Sequence, residues 1–256
     1  MSDRKPVVIV TGASKGIGLA VTGILLEKFN AIVVGLARTR TPELRAITSA
    51  RFLFIECDIT DESAVENAIS VTKKAYGNVD ALVLNAGVLE PFCRIASNTS
   101  LDAWKSHFDV NFFSLVSALK LAVPHLRSSS LGGRIIFVSS GAAVKGTAGW
   151  GPYNASKAAM NSLCRTLAEE EPDIVSVALR PGMVDTNMQA TLRATGAEAM
   201  GEASHAKFVQ AHSDGKLVKP EDAGHVIASL SVEATKELSG QFVSWDSDEC
   251  KPYRRE

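Results

Sequence analysis

The chain of 256 residues lacks several features that would direct it to a membrane or a nucleic acid. No apolar run approaches the roughly 18 residues of a membrane-spanning helix. No basic stripe or charge run is present, and the net charge is −1. We therefore expect neither a nucleic acid nor an anionic membrane as a partner.

Cysteine is scarce and unpaired in sequence. The four cysteines are far apart and form no C-x-x-C motif: Cys57, Cys93, Cys164 and Cys250. This spacing predicts reduced thiols rather than a disulfide framework. The first residues run directly into an apolar strand without the apolar core of a signal peptide, which favours a cytoplasmic location. The five histidines have no Cys or Asp neighbours at ligand spacing, so we predict no metal site.

What the chain does have is a regular alternation of apolar, β-rich runs with helical patterns. This alternation predicts an α/β fold, a single-domain, Rossmann-type, doubly wound parallel sheet with helices on both faces. The expected seven strands are residues 6–11, 31–37, 52–57, 81–84, 134–139, 174–179 and 241–244, with main helices at 17–29, 61–76, 104–126 and 153–170. Since no Pro/Ser-rich linker interrupts residues 1–256, we expect one domain, with residues 187–215 as a lid over the substrate.

A glycine-rich turn follows the first predicted strand. Gly12, Gly16 and Gly18 are spaced by four and two residues, which is not the G-x-G-x-x-G pattern. Small residues here allow the backbone to approach a pyrophosphate at the N-terminus of the next helix. The turn predicts a dinucleotide site completed by Ser14, Lys15 and Ile17, with a plain strand-to-helix loop as the alternative.

The end of the second strand indicates which dinucleotide binds. NAD-binding chains place an acidic residue about 20 positions past the glycines, where this chain has Ala37 followed by Arg38. No carboxylate repels a 2′-phosphate there, and a guanidinium can pair with one, with Lys15 as a second cation. We therefore predict NADP(H). Asp58 is either an adenine contact or a surface acid that precedes a helix.

Tyr153 and Lys157 carry the predicted acid–base chemistry. They lie four residues apart on a predicted helix and therefore share a face. An ammonium beside a phenol favours the phenolate, so we expect Lys157 to lower the pKa of Tyr153 below its usual value of about 10. Such a tyrosine can protonate an alkoxide as it forms. Ser140 precedes Tyr153 by thirteen residues.

With these residues in order, the chain strongly resembles the short-chain dehydrogenases/reductases over nearly its whole length. The motifs that carry the resemblance are residues 11–18, Asp58, 85–87, Asn111, Ser140, Tyr153 with Lys157, 181–182 and Thr186. Within the family, residues 35–39, 108–114 and 138–142 look like the fungal benzil reductases, which are related to sepiapterin reductases. One departure is Leu84, where the family often has asparagine.

The resemblance implies a role for each of these residues. Ser140 hydrogen-bonds the substrate carbonyl, Tyr153 donates the proton, and Lys157 binds the nicotinamide ribose and tunes the tyrosine. Asn111 holds a water that links Lys157 to solvent. The implied cofactor contacts are the glycine turn, Arg38 with Thr39, Asp58, Asn85, Ala86 and Gly87 on the adenine-ribose side, and Pro181, Gly182, Val184 and Thr186 at the carboxamide.

The candidate substrate walls are apolar and carry little charge. They are Leu89, Phe92, Ala142, Val144, Trp150, Met183, Val184, Met188 and Phe208. Such walls favour a hydrophobic ketone or diketone over a sugar or an acid. Sepiapterin reductases hold the pterin with an acid near the C-terminal strand, where this chain has Ser244, so a pterin is disfavoured.

We therefore expect an NADPH-dependent carbonyl reductase that converts a benzil-like diketone to a hydroxyketone. The alternatives are an alcohol, steroid or pterin dehydrogenase on the same site, or a catalytically silent dinucleotide-sensing protein, against which Ser140, Tyr153 and Lys157 argue. The helix at 104–126 is apolar over a wide surface, which indicates either deep burial within the monomer or a subunit interface. We expect the interface, and with it a homodimer or homotetramer.

Overall fold

The structure is a computed structural model that describes residues 4–255. Its centre is a seven-stranded sheet in the order β3-β2-β1-β4-β5-β6-β7, in which every neighbouring pair is parallel. The strands are β1 (Val7–Thr11), β2 (Ile32–Ala37), β3 (Phe52–Glu56), β4 (Ala81–Leu84), β5 (Gly133–Val138), β6 (Ile174–Arg180) and β7 (Phe242–Ser244). The predicted doubly wound sheet is confirmed.

Ten α-helices surround the sheet within the described residues. They are α1 (Gly16–Glu27), α2 (Pro42–Ala46), α3 (Glu62–Tyr76), α4 (Leu101–Phe108), α5 (Ser114–Leu126), α6 (Gly151–Glu170), α7 (Asn187–Thr195), α8 (Ala197–Met200), α9 (Glu202–Ser213) and α10 (Pro220–Glu233). The helix predicted at 104–126 begins three residues earlier, where Ser100 Oγ accepts a hydrogen bond from the Ala103 amide, and a π-helical turn, Asp109–Phe113, separates α4 from α5. Helix α10 was not predicted.

The strands bury both faces because their side chains alternate between two cores. Val8 and Val10 of β1 belong to a cluster with residues of α1 and α10, whereas Ile9 between them belongs to a cluster with residues of α3, α5 and α6. All three valine and isoleucine side chains are fully buried. Continuous apolar strands of this kind are stable only with helices on both faces.

Between β1 and β4 the direction of winding reverses, since β2 lies on one side of β1 and β4 on the other. In open parallel sheets, ligands bind outside the carboxyl ends of the strands at such a point. The segment predicted as a lid forms α7, α8 and α9. Leu192 and Met200 from this segment pack in a third cluster that includes Tyr153. No helix within residues 4–255 is long and apolar enough to cross a bilayer.

Candidate active site

A cleft of about 680 Å³ opens at the carboxyl ends of the strands. It extends from the glycine turn after β1, past the loops after β4 and β5, to α9 of the predicted lid. Most of the predicted site residues line it. The exceptions are Gly18, Thr39 and Asn111, which lie outside the cleft wall.

The glycine turn has a backbone that side chains would obstruct. Gly12 and Gly16 have φ values of 66° and 54°, in the left-handed region that favours glycine. Gly18 has no room for a side chain, because a Cβ there would lie 2.2 Å from the Gly12 carbonyl oxygen. Gly18 therefore shapes the turn by allowing this close approach, and its predicted contact with the cofactor stays a prediction.

Thr11 and Asn85 join the glycine turn to the loop after β4. The hydroxyl of Thr11 accepts hydrogen bonds from the backbone amides of Asn85 and Ala86, both at 3.0 Å. In return, Asn85 Nδ2 donates to the Thr11 carbonyl oxygen at 2.9 Å. Two neighbouring loops are thereby held together, so the predicted phosphate and ribose contacts form one surface.

The N-terminus of α1 faces the cleft without a capping side chain. Lys15 occupies the N-cap position and makes no side-chain cap hydrogen bond. Free amides at a helix N-terminus and the positive end of its dipole favour an anion. The turn therefore fits the pyrophosphate of a dinucleotide.

Arg38 and Asp58 lie at the far end of the cleft, beyond β2 and β3. Hydrogen bonds from the Thr60 backbone amide and hydroxyl lower the pKa of Asp58, and Arg38 lowers it further. Asp58 is therefore a charged acceptor at this end of the cleft. Thr39 is exposed and does not reach the cleft wall.

Ser140, Tyr153 and Lys157 meet at the other end of the cleft. Ser140 follows β5 and caps a short 3-10 turn, where its Oγ accepts from the Ala142 amide at 3.1 Å. The Ser140 side chain is close enough to the Tyr153 hydroxyl to lower the pKa of the phenol. Lys157 Nζ donates to the Val138 carbonyl oxygen at 2.8 Å and lies 5.7 Å from the centre of the Tyr153 ring. The three groups predicted to act together are thus neighbours.

The pKa of Tyr153 does not shift as predicted from the sequence. Burial raises it, and the Ser140 side chain opposes this rise only in part. Burial also lowers the pKa of Lys157 to about 7. The prediction that Lys157 lowers the pKa of Tyr153 is therefore wrong for this structure, because desolvation governs both groups and Lys157 Nζ bonds to Val138 instead of the phenol oxygen.

Asn111 lies in the π-helical turn and is fully buried. Its Oδ1 accepts from the Val88 amide at 2.8 Å, and its Nδ2 donates to the Val88 carbonyl oxygen at 2.7 Å. Nδ2 also lies 2.8 Å from His107 Nε2. Protein groups occupy its amide, and the predicted role of Asn111 in holding a water that links Lys157 to solvent stays a prediction.

His107 was not predicted to take part in the site. Its one sequence signal is the spacing, since it precedes Asn111 by four residues on the same helical face. It is 2% exposed, and its ring lies 6.2 Å from the Tyr153 ring in an edge arrangement. It therefore connects two predicted catalytic residues.

The substrate end of the cleft differs in part from the predicted wall. Phe92 and Val144 do not line it, and Val144 is 64% exposed. The remaining predicted wall residues do line the cleft, and the Trp150 ring lies 5.6 Å from Tyr153. Polar and charged residues that were not predicted also contribute, namely Lys145, Thr147, Arg180, Gln189 and Lys207. The expectation of little charge was therefore wrong.

Fold and site together define a dinucleotide-dependent oxidoreductase, and comparison with known proteins identifies the family. Residues 6–197 match the short chain dehydrogenase family. The chain belongs to this family, as its motifs predicted, and the family uses a nicotinamide dinucleotide.

The similar proteins span nearly the whole chain. An uncharacterized oxidoreductase of Schizosaccharomyces pombe is 43% identical over 247 residues, covering 94% of this chain and 96% of the relative. The benzil reductase ((S)-benzoin forming) of Saccharomyces cerevisiae is 37% identical over 257 residues, covering 96% and 98%. A solved short chain dehydrogenase/reductase of Saccharomyces cerevisiae superposes with a TM-score of 0.92 at 33% identity, covering 98% of this chain and 100% of that one.

Proposed function

We propose that this chain is an NADPH-dependent carbonyl reductase that reduces a hydrophobic ketone or 1,2-diketone of the benzil type to a hydroxyketone. The observation that carries the proposal is that Ser140, Tyr153 and Lys157 meet at one end of the cleft, beside the apolar side chains of Leu89, Trp150 and Phe208. Relatives named benzil reductase, 37% and 30% identical to the chain, support the substrate class.

Tyr153 is the proton donor in this proposal. Its raised pKa keeps the phenol protonated near neutral pH, the form that a reduction requires. Ser140 stabilises the oxygen of the carbonyl as negative charge develops there. With a pKa of about 7, Lys157 can gain and lose a proton near neutral pH. It can therefore help to replace the proton that Tyr153 donates.

The cofactor supplies the hydride, and the protein binds and orients it. The uncapped N-terminus of α1 would hold the pyrophosphate, together with Gly12, Ser14, Gly16 and Ile17. Asn85, Ala86 and Gly87 would hold the adenine-ribose side, and Pro181, Gly182, Val184 and Thr186 would hold the carboxamide, as all of these line the cleft.

The preference for NADPH rests on charge at the end of β2. Arg38 and Lys15 line the cleft there, and Ala37 stands where an NAD-specific chain has an acid. A 2′-phosphate would gain a bidentate guanidinium partner. Asp58 remains the proposed adenine contact. Thr39 does not line the cleft, so we propose that it contributes to cofactor binding only through its neighbour Arg38.

The test of the activity is NADPH consumption with benzil. Tyr153→Phe should remove nearly all turnover while NADPH still binds, because only the transferable proton is lost. Tyr76→Phe, a partly buried tyrosine on α3 outside the cleft, is the matched control and should retain turnover. Full turnover by Tyr153→Phe would overturn the proposal.

The cofactor preference has a separate test. Arg38→Asp should lower the ratio of kcat/KM with NADPH to kcat/KM with NADH by at least tenfold, since it replaces an attraction of about 1.5–3 kcal/mol with a repulsion. Arg45→Asp makes the same charge change on the exposed surface of α2, outside the cleft, and should leave the ratio unchanged. The same ratio in the wild type, Arg38→Asp and Arg45→Asp would contradict the assignment of NADPH as the preferred cofactor.

We also propose a homodimer or homotetramer that acts in the cytoplasm. Phe113, in the turn that leads into α5, is 55% exposed, and its ring lies 5.4 Å from that of Phe112. Exposed aromatics on a helical surface suit a subunit interface. Phe113→Asp should shift the mass in light scattering to the monomer, whereas Val71→Asp on α3 should not. A solved structure from Saccharomyces cerevisiae that is 32% identical to this chain is of a protein described as cytoplasmic, which supports this location.

A further inference from the structure

Three cations line the cleft around its catalytic end. Lys145, Arg180 and Lys207, here called the cationic rim, all contribute to the cleft wall. None of them makes an ion pair within 4.0 Å or donates a side-chain hydrogen bond to a described residue. Their charges are therefore available to a ligand.

Each member of the cationic rim lies near the end of the cleft that contains Tyr153, as its neighbouring residues show. Lys145 lies in the segment between Ser140 and Trp150. The guanidinium of Arg180 packs against the loop after β5, where its Nε would lie 3.2 Å from a Cβ at Gly141. Lys207 precedes Phe208, whose ring lies 5.3 Å from that of Trp150, the neighbour of Tyr153.

The proposed cofactor phosphates do not account for the rim. Lys15 follows β1, and Ser140 follows β5, with β4 between the two strands. Strands separated by one neighbour are about 10 Å apart. Asp58, the one acidic residue among the described cleft-lining residues, lies near Arg38 and leaves the rim uncompensated.

Resting on the carbonyl reductase activity proposed above, we infer that the cleft prefers substrates with a carboxylate or similar anionic group beyond the apolar body that carries the reacting carbonyl. Leu89, Trp150 and Phe208 bury the apolar body, and the rim attracts the anion. Uncompensated cations around a cleft with apolar walls concentrate anions and raise their rate of association.

The test compares 4-carboxybenzil with its methyl ester, which present the same diketone with and without a charge. Each exposed ion pair contributes modestly, so the acid should have a kcat/KM about 3- to 10-fold above that of the ester at low salt, through KM. Near 1 M NaCl, where the Debye length is about 3 Å, this preference should vanish.

A charge-matched pair of double variants locates the effect. Lys145→Gln with Lys207→Gln should lower the acid-to-ester ratio toward one, because two of the three cations of the rim are removed. Lys28→Gln with Lys74→Gln removes the same net charge from exposed lysines that do not line the cleft, and should preserve the ratio.

The outcomes separate this inference from the activity on which it rests. Reduction of the ester with no preference for the acid, or an equal loss of preference in both double variants, overturns the anionic substrate and leaves the carbonyl reductase standing. If neither benzil nor the ester is reduced, the proposed function itself fails.

Discussion

The Nε2 atom of His107 accepts a hydrogen bond from Asn111 Nδ2 at 2.8 Å inside the protein. The direction follows from the other ring nitrogen, because Nδ1 lies 2.7 Å from the Glu90 carbonyl oxygen, which can only accept. Burial lowers the pKa of His107, and Lys157 lowers it further, so the ring is neutral with its proton on Nδ1. One imidazole thereby holds the loop after β4 and the amide of Asn111.

From this relationship we predict that His107 positions the catalytic groups. His107→Phe keeps a ring but leaves the Glu90 carbonyl oxygen without this donor and removes one of the acceptors of Asn111 Nδ2, which costs about 1–3 kcal/mol of stability. We expect kcat to fall about tenfold or more while KM for the cofactor changes little, since the glycine turn lies elsewhere. Steady-state kinetics with both substrates varied measures the two effects.

The conservative variant His107→Gln separates positioning from folding. Glutamine retains an amide oxygen that can accept from Asn111, so it should recover a substantial part of the lost kcat. An equal loss of kcat in both variants would show that the hydrogen bond to Asn111 has no part in turnover.

Gly18 and Gly23 provide a matched pair on α1. A Cβ at Gly18 would lie 2.2 Å from the Gly12 carbonyl oxygen, whereas one at Gly23 meets no atom within 4 Å. Gly18→Ala should lower stability by about 3 kcal/mol and weaken cofactor binding at least tenfold, because the turn must shift. Gly23→Ala should raise stability by about 0.5–1 kcal/mol. Thermal melts and cofactor titration check both, and similar behaviour of the two variants would refute the steric argument.

The sequence allowed the sheet and most of the site to be predicted because both depend on local patterns. A continuous apolar strand such as Val7–Thr11 requires helices on both faces, and the spacing of Tyr153 and Lys157 places them on one face of α6. The motifs after successive parallel strands then meet at one edge of the sheet.

Properties that depend on depth of burial and on contacts between distant segments could not be predicted in this way. The direction of the Tyr153 pKa shift follows from desolvation, which residue spacing does not reveal. His107 pairs with Glu90 and Ser156 across long stretches of chain. Lys145 follows β5 and Lys207 lies on α9 after β6, and the two line one cleft only because α9 folds back over it. The sequence around each lysine does not predict this.

Lys157 leads to a prediction about stability and pH. Its pKa is about 7 in the folded protein, because burial disfavours the ammonium, and near the ordinary 10.5 in the unfolded chain. Between these values the unfolded chain binds one more proton, so this group makes stability rise with pH from about 7 to about 10. Below about pH 7 the full desolvation penalty remains.

Lys157→Met removes that penalty and with it the pH dependence. The variant should gain stability relative to the wild type most strongly at about pH 6, and the gain should shrink steadily toward about pH 10. Urea unfolding of both proteins across this range measures the difference. Lys74→Met, at an exposed position on α3, is the control and should show no such trend. A stability difference for Lys157→Met that stays constant with pH would mean that the buried amine keeps an ordinary pKa, and its proposed part in resupplying protons near neutral pH would be lost.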